Sequence, residues 1–388
     1  MRGASRSRHA DYARPGAPTA EALGRAPAVG LASLREGWHT HCVQQGVRLP
    51  TFLALALVVV AGAAPARSKP TEVMPVLDLN VGLAQNVEQP RRNLWQGIGQ
   101  AGIVQLHQGQ VRGVLTRFSA GGSDGSSAQL ALRFARFRSA VASTQAFDAQ
   151  GCSPAPARVS TWFELQAPAM LAGEPDEVLP WTARGIRVFG FAGRLDSPLA
   201  TSAFPSGPER VTGLTPVGRR VAETVMRAGA LVDVANLSDV AILEVIELAK
   251  QLGTPVIDTR AGSRTVRARP GSLADWQLRA IAQTGGVVGL ALDRDLLGDG
   301  AQSDTSDVLR QLQHLLRVAG PDAVALASGF ETGAMPPLGL DSAARFPRLT
   351  EALAESGMPR DTIRKIFRDN ALRVLCGQAP QASAAPRP

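Results

Sequence analysis

The sequence predicts an α/β fold, a closed (β/α)8 or TIM barrel, on three observations. Short apolar runs alternate with amphipathic helical segments from residue 75 to residue 375. Eight such runs can be counted, each with helical sequence after it. Polar residues gather where runs end, at Asp78-Leu79-Asn80, Asp233-Val234-Ala235-Asn236 and Asp258-Thr259-Arg260. Parallel α/β folds place their chemistry at the carboxyl ends of strands.

Pro75 to Leu79 makes the first strand, followed by helical sequence from Arg91, and Arg112 to Phe118 makes the second. Gln129 to Thr144 reads as helix, Val159 to Leu165 as strand three and Pro175 to Ala183 as a short helix. Gly185 to Phe191 is strand four, and Pro216 to Arg227 is the helix after it. The clearest alternation spans Gly229 to Leu297. Its β-type runs, Ala230 to Val234, Pro255 to Ile257 and Gly286 to Leu292, are separated by two amphipathic helices, which predicts parallel strands joined by right-handed crossovers. Thr305 to Val318 is helical, Ala323 to Ala327 is strand eight, and Phe346 to Glu355 and Arg360 to Val374 close the fold as helices.

Flanking segments differ in character. Phe52 to Ala64 is a 13-residue apolar run behind Arg48, followed by small residues at Ala61-Gly62-Ala63 and Ala64-Pro65-Ala66. It is too short to span a bilayer and has the shape of a secretory h-region with a cleavage site. Residues 1–66 are therefore expected to be a leader, residues 67–376 the barrel, and the Ala/Pro-rich residues 377–388 a disordered tail. An exported protein follows, periplasmic or secreted, or membrane-anchored if the run is not cleaved. The 48 residues up to Arg48, ahead of the run, exceed a usual n-region, which points to translation starting downstream of Met1.

Several functions are disfavoured. Of the formal charge of +8, +4 lies in residues 1–66, and no Lys/Arg cluster interleaved with aromatics follows, so no nucleic-acid partner is expected. Gly97-Ile98-Gly99-Gln100-Ala101-Gly102 matches GxGxxG, yet no strand precedes it and it opens no helix. The loop Ala120-Gly121-Gly122-Ser123-Asp124-Gly125 lacks the Lys-Ser/Thr of a phosphate cradle. Beyond the leader, His107 and His314 are the two histidines and both fall on helices; no GxSxG elbow or Cys/His dyad supplies a nucleophile. Cys42 falls in the leader, and Cys152 and Cys376 both map to the amino-terminal face of the barrel, which permits one disulfide.

Leu231-Val232-Asp233-Val234-Ala235-Asn236-Leu237-Ser238-Asp239, Pro255-Val256-Ile257-Asp258-Thr259-Arg260, and Leu273-Ala274-Asp275-Trp276-Gln277-Leu278-Arg279-Ala280-Ile281-Ala282 with Gly285-Gly286-Val287-Val288-Gly289 resemble the membrane (renal) dipeptidases. So do Gly213-Leu214-Thr215-Pro216-Val217-Gly218, Gly320 to Phe330, and Ile363-Arg364-Lys365-Ile366 with Asn370. The resemblance covers nearly all of residues 75–375. It implies a metal-dependent-hydrolase-like barrel that cleaves dipeptides with two zinc ions, which generate hydroxide and polarise the scissile carbonyl.

The ligand positions that the resemblance implies do not carry ligands. The H-x-D of strand one meets Asn80 and Gly82. The bridging Glu meets Gln166, with Glu164 two residues earlier, and the two histidines meet Asn236 and Arg260. On the substrate side, His, Arg and Asp meet Gly193, Gly271 and Gly329. A guanidinium about 4 Å from a dication repels it by about 8 kcal/mol at an effective dielectric of about 20. The expectation is a barrel without cofactor or activity, acting as a binding or partner protein of the cell envelope. The alternative is an active metallo-dipeptidase whose site lies in a different register. A small anionic ligand or peptide is the expected partner, and the resemblance adds a homodimer or a heterodimer with an active paralogue. Arg260 is expected to pair with Asp258, Glu164 or both, either plugging the barrel mouth or anchoring a carboxylate or phosphate.

Overall fold

The computed structural model describes residues 74–88, 91–119, 127–149, 151–152, 158–166, 168–204 and 212–377. The apolar run Phe52 to Ala64, the loop at 120–125 and the tail at 378–388 lie outside them. The barrel belongs to the unit Ser68–Pro388, and no helix among the described residues is long and apolar enough to cross a membrane.

Its strands are β1 (Val76–Val81), β2 (Val111–Ser119), β3 (Phe147–Ala149), β4 (Val159–Gln166), β5 (Ile186–Gly190), β6 (Leu231–Asp233), β7 (Val256–Ala261), β8 (Val287–Ala291) and β9 (Val324–Ala327). They pair in the order β1-β2-β4-β5-β6-β7-β8-β9, with every pairing parallel. The ends of the sheet meet where the Gly82 N–H donates to the Phe330 carbonyl at 2.8 Å and the Gly329 N–H to that of Asn80 at 2.9 Å. Eight parallel strands thus form a nearly closed barrel. The ninth, β3, pairs only with Val159 to Thr161 of β4. It fits there because β5 first meets β4 at Phe163 and leaves that edge free.

The connecting helices are α1 (Leu83–Glu88), α2 (Ile103–Gln108), α3 (Ser127–Ser143), α4 (Val178–Ala183), α5 (Pro216–Arg227), α6 (Asp239–Leu252), α7 (Asp275–Gln283), α8 (Arg294–Leu297), α9 (Thr305–Ala319), α10 (Phe346–Glu355), α11 (Arg360–Arg364) and α12 (Asn370–Leu375). Their ends are written locally. Thr215 caps α5 by accepting from the Gly218 N–H, with Pro216 at the first helical position. Ser238 caps α6, and Gly253 ends it at φ 66. Residues 360–374, expected as one helix, run as α11, a π-helical turn at Lys365–Asp369 and α12.

Helical sequence was also expected from Arg91, whereas residues 91–102 form turns between α1 and α2. The reason is a contact that local sequence does not contain. The Glu331 carboxylate accepts backbone N–H bonds from Ile98, Gln100 and Ala101 at 2.8, 3.1 and 2.9 Å, and Gly97 and Gly99 take the positive φ values this wrap needs. The GxGxxG segment thus cradles a carboxylate of its own chain.

One apolar cluster takes residues from all eight barrel strands: Leu77 and Leu79, Leu115, Trp162, Val188, Leu231, Ile257, Val287, and Ala325 with Ala327. It is the barrel interior, and Ala371, Val374 and Leu375 of α12 extend it. The larger cluster lies between strands and helices. Cys152 and Cys376 are joined as a disulfide with Cα atoms 5.9 Å apart, tying the segment before β4 to the end of α12. Denatured full-length protein without reductant is expected to show one free thiol, that of Cys42, and three after reduction. Three thiols without reductant would exclude the bridge. Removing it should lower stability by about 2–5 kcal/mol.

Candidate functional site

Side chains along a strand alternate, so the residue two places beyond each interior apolar residue points the same way, one layer nearer the carboxyl end. That layer holds Arg117 after Leu115, Glu164 after Trp162, Asp233 after Leu231 and Thr259 after Ile257. Arg117 ties them together: its Nε lies 3.2 Å from Glu164 Oε2, and its Nη2 lies 2.9 Å from Thr259 Oγ1 and 3.9 Å from Asp233 Oδ2. Thr259 Oγ1 donates in turn to Asp233 Oδ2 at 2.6 Å. Burial pushes the Glu164 carboxyl up to about 7, against the opposing pull of the Arg117 charge.

Three strand ends are turned by one device. Asp78, Asp233 and Asp258 each accept the backbone N–H two residues on, from Asn80, Ala235 and Arg260, at 3.1, 3.0 and 2.8 Å. Asp78 also accepts from the Ser328 N–H at 2.8 Å, and Asp233 from the Thr259 N–H at 3.0 Å, so each stitches its strand end to a neighbour. Burial pushes Asp78 up to about 6. Burial first, and then the Asp233 charge, push Asp258 up to about 8.

Above this layer opens a cavity of about 210 Å³, and Asn80, Gln166, Gly193, Asn236, Arg260 and Gly329 all line it. Six of the eight positions singled out in the sequence therefore converge on one place. Gly82 and Gly271 do not line it. A Cβ on Gly82 would lie 2.6 Å from the Glu331 carbonyl oxygen, so no carboxylate fits at that position without moving the turn beyond β9. Gly271, at φ +81, lies under Arg260 and Phe204; a Cβ there would be 3.6 Å from Arg260 Nη1.

The ion pairs differ from those expected. Arg260 pairs through Nη2 with Asp293 Oδ2 at 2.8 Å, not with Asp258 or Glu164. Asp258 lies one residue out of alternation with the interior face, so its carboxylate meets the Arg260 backbone, while Glu164 is taken by Arg117. Arg117 carried a readable signal, a cation on the strand face shared with Gly113 and Leu115. Asp293, just past β8, repeats the pattern of an Asp at a strand end. Arg194, which also lines the cavity and stacks on Phe204 at 5.0 Å, carried none.

This donor set does not fit the two zinc ions that the resemblance implies. Amides stand at Asn80, Gln166 and Asn236, a guanidinium at Arg260, and the nearest buried carboxylates, Glu164, Asp78 and Asp258, each commit one oxygen to Arg117 or to strand-end N–H groups. Among the described residues no group of three or more His, Cys, Asp or Glu side chains is arranged to hold a metal ion. His314 is buried on α9 between Asp275 and Arg317, each at 2.8 Å, and His107 is exposed on α2.

Residues 69–386 match the family model described as membrane dipeptidase (peptidase family M19). The chain is 32% identical over 211 residues to an uncharacterized protein in the pqqA 5' region of Klebsiella pneumoniae, which covers 52% of this chain and 76% of that protein. It is 26% identical over 165 residues to Dipeptidase 3 of Rattus norvegicus, covering 42% of this chain but 33% of that protein. Among solved structures, the dipeptidase AC, a metallopeptidase of family M19, superposes with a TM-score of 0.70 at 20% identity, over 80% of this chain and 100% of that one. A metallopeptidase from Rhodobacter sphaeroides, liganded with a phosphinate mimic of L-Ala-D-Ala, does so with a TM-score of 0.69 at 21% identity, over 78% and 99%. The match over residues 69–386 shows the family, and the fold agrees: the chain belongs to the membrane dipeptidase family.

Proposed function

We propose that this chain is a non-hydrolytic member of its family, a binding or partner protein of the cell envelope that keeps the barrel mouth without the family's chemistry. One observation carries the reading: the Arg260 guanidinium, paired with Asp293, forms part of the cavity wall at a position where the resemblance implies a zinc-binding histidine. A fixed cation there repels a dication, and the surrounding amides return little of that cost. The envelope assignment rests on the h-region at Phe52 to Ala64.

Metal analysis of purified full-length protein, beside a dipeptide hydrolysis assay with added zinc, tests the reading. Less than one equivalent of zinc and no turnover above the blank are expected. Two tightly held zinc ions with turnover would overturn it.

A further inference from the structure

The charge balance of the cavity wall sets what it can hold. Among the described lining residues stand three cations, Arg117, Arg194 and Arg260, and one acid, Asp293. Arg117 is offset from below by Glu164 and Asp233, and Arg260 from the side by Asp293. Arg194 makes no ion pair among the described residues; its guanidinium lies 5.0 Å from the centre of the Phe204 ring, and Arg260 lies over the same ring at 5.9 Å. Two guanidiniums thus share one aromatic platform beside the cavity, and Arg194 is the one without an ionic partner among the described residues.

The polar groups around that charge are unspent. The side-chain amides of Gln166 and Asn236 line the cavity and have no hydrogen-bond partner among the described residues. Arg260 Nη1 and Asn80 Oδ1 are also unpartnered. A mouth merely plugged by an ion pair would leave neither an open volume nor free amides, and about 210 Å³ remains. At about 30 Å³ per water that is room for about seven waters, enough for a ligand of amino-acid size.

Resting on the non-hydrolytic reading, we infer that this cavity is a receptor for a small molecule of amino-acid size that carries one carboxylate, held between Arg194 and Arg260 with Gln166 and Asn236 bonding its neighbouring polar groups. The geometry favours a carboxylate over a phosphate dianion because one lining cation, Arg194, has no ionic partner among the described residues, and over a cationic ligand because Asp293 is already engaged. Binding through fixed charge weakens as salt is added.

Thermal melts and calorimetric titration of the full-length protein with L-alanine, acetate, glycinamide and inorganic phosphate decide the matter. L-alanine should raise the melting temperature by about 5 °C at about 100-fold over its Kd. Acetate should act more weakly, phosphate less than L-alanine, and glycinamide, which lacks the carboxylate, not at all. Arg194 is exposed, so Arg194→Gln should leave the unliganded melting temperature in place and weaken L-alanine binding about 10-fold or more. Arg260→Gln should weaken it further and also lower the unliganded melting temperature, because Asp293 loses its partner. No shift with either carboxylate, an equal shift in Arg194→Gln, or stronger stabilisation by phosphate or glycinamide would overturn the inference. Zinc content and turnover on the same preparation keep the two readings apart: turnover sinks the parent reading whatever the melts show, whereas inactive protein blind to carboxylates sinks this one alone.

Discussion

Replacing Arg117 by Met should cost roughly 3–5 kcal/mol of stability at about pH 8, where Glu164 is ionised, read as a fall in the urea midpoint at unchanged slope. The guanidinium is the one cation bonded to Glu164 among the described residues, and it reaches Asp233 and Thr259 as well. Glu164 is 0% exposed and Asp233 1%, so truncation leaves two carboxylates facing each other with neither water nor counter-charge. Met keeps the volume of the stem and removes only the charge and its donors. Adding Glu164→Gln should recover part of the loss, with a coupling of about 1–3 kcal/mol in a double-mutant cycle. A loss below about 1 kcal/mol for Arg117→Met would mean that water reaches this layer and that the ion pair does not organise the barrel mouth.

Much of this fold is written in local pattern. Helices α5 and α10 begin and end at the residues expected from sequence, because amphipathic period and end residues act over one turn. All eight barrel strands follow from apolar runs for the same reason. Strand β3 escapes because three residues, Phe147–Ala149, carry no period, and their place is set by a free edge of β4 far along the fold. Residues 91–102 escape because the carboxylate that shapes them sits on Glu331, across the barrel closure. The site divides along the same line. Which residues stand at strand ends is legible by counting, and six of them do meet in one cavity. Which charges pair is not legible. Arg260 finds Asp293 from β8's end, and Glu164 finds Arg117 on the neighbouring strand, because barrel curvature and the irregularity between Asp258 and Ala261 decide who faces whom.

Stability should be greatest in mildly acidic solution and should fall as pH rises from about 5 to about 8. Burial raises the carboxyls of Asp78, Glu164 and Asp258 to about 6, about 7 and about 8. In the unfolded chain these groups titrate near their ordinary values, about 4. Between those limits the folded state binds more protons than the unfolded one, so stability declines with rising pH. The contribution is fully present below about pH 4 and is lost as pH climbs through each folded value. For Asp78 alone, a shift from 3.8 to about 6 corresponds to roughly 3 kcal/mol. The opposite limb lies lower. Asp239, Asp275 and Asp304 are held below the usual range, Asp239 and Asp275 chiefly by side-chain bonds from Arg264 and His314 and Asp304 by Ser306. Their stabilisation, present above about pH 4, is lost as pH falls through their depressed values. A urea-midpoint series from pH 3 to pH 9 should therefore peak near pH 5. Asp78→Asn, which keeps one acceptor for the Asn80 and Ser328 N–H groups and cannot ionise, should flatten the alkaline limb. A midpoint that is level or rising between pH 5 and pH 8 would show that these carboxylates are ionised in the folded protein at the lower pH, and that Arg117 with the strand-end N–H groups outweighs burial.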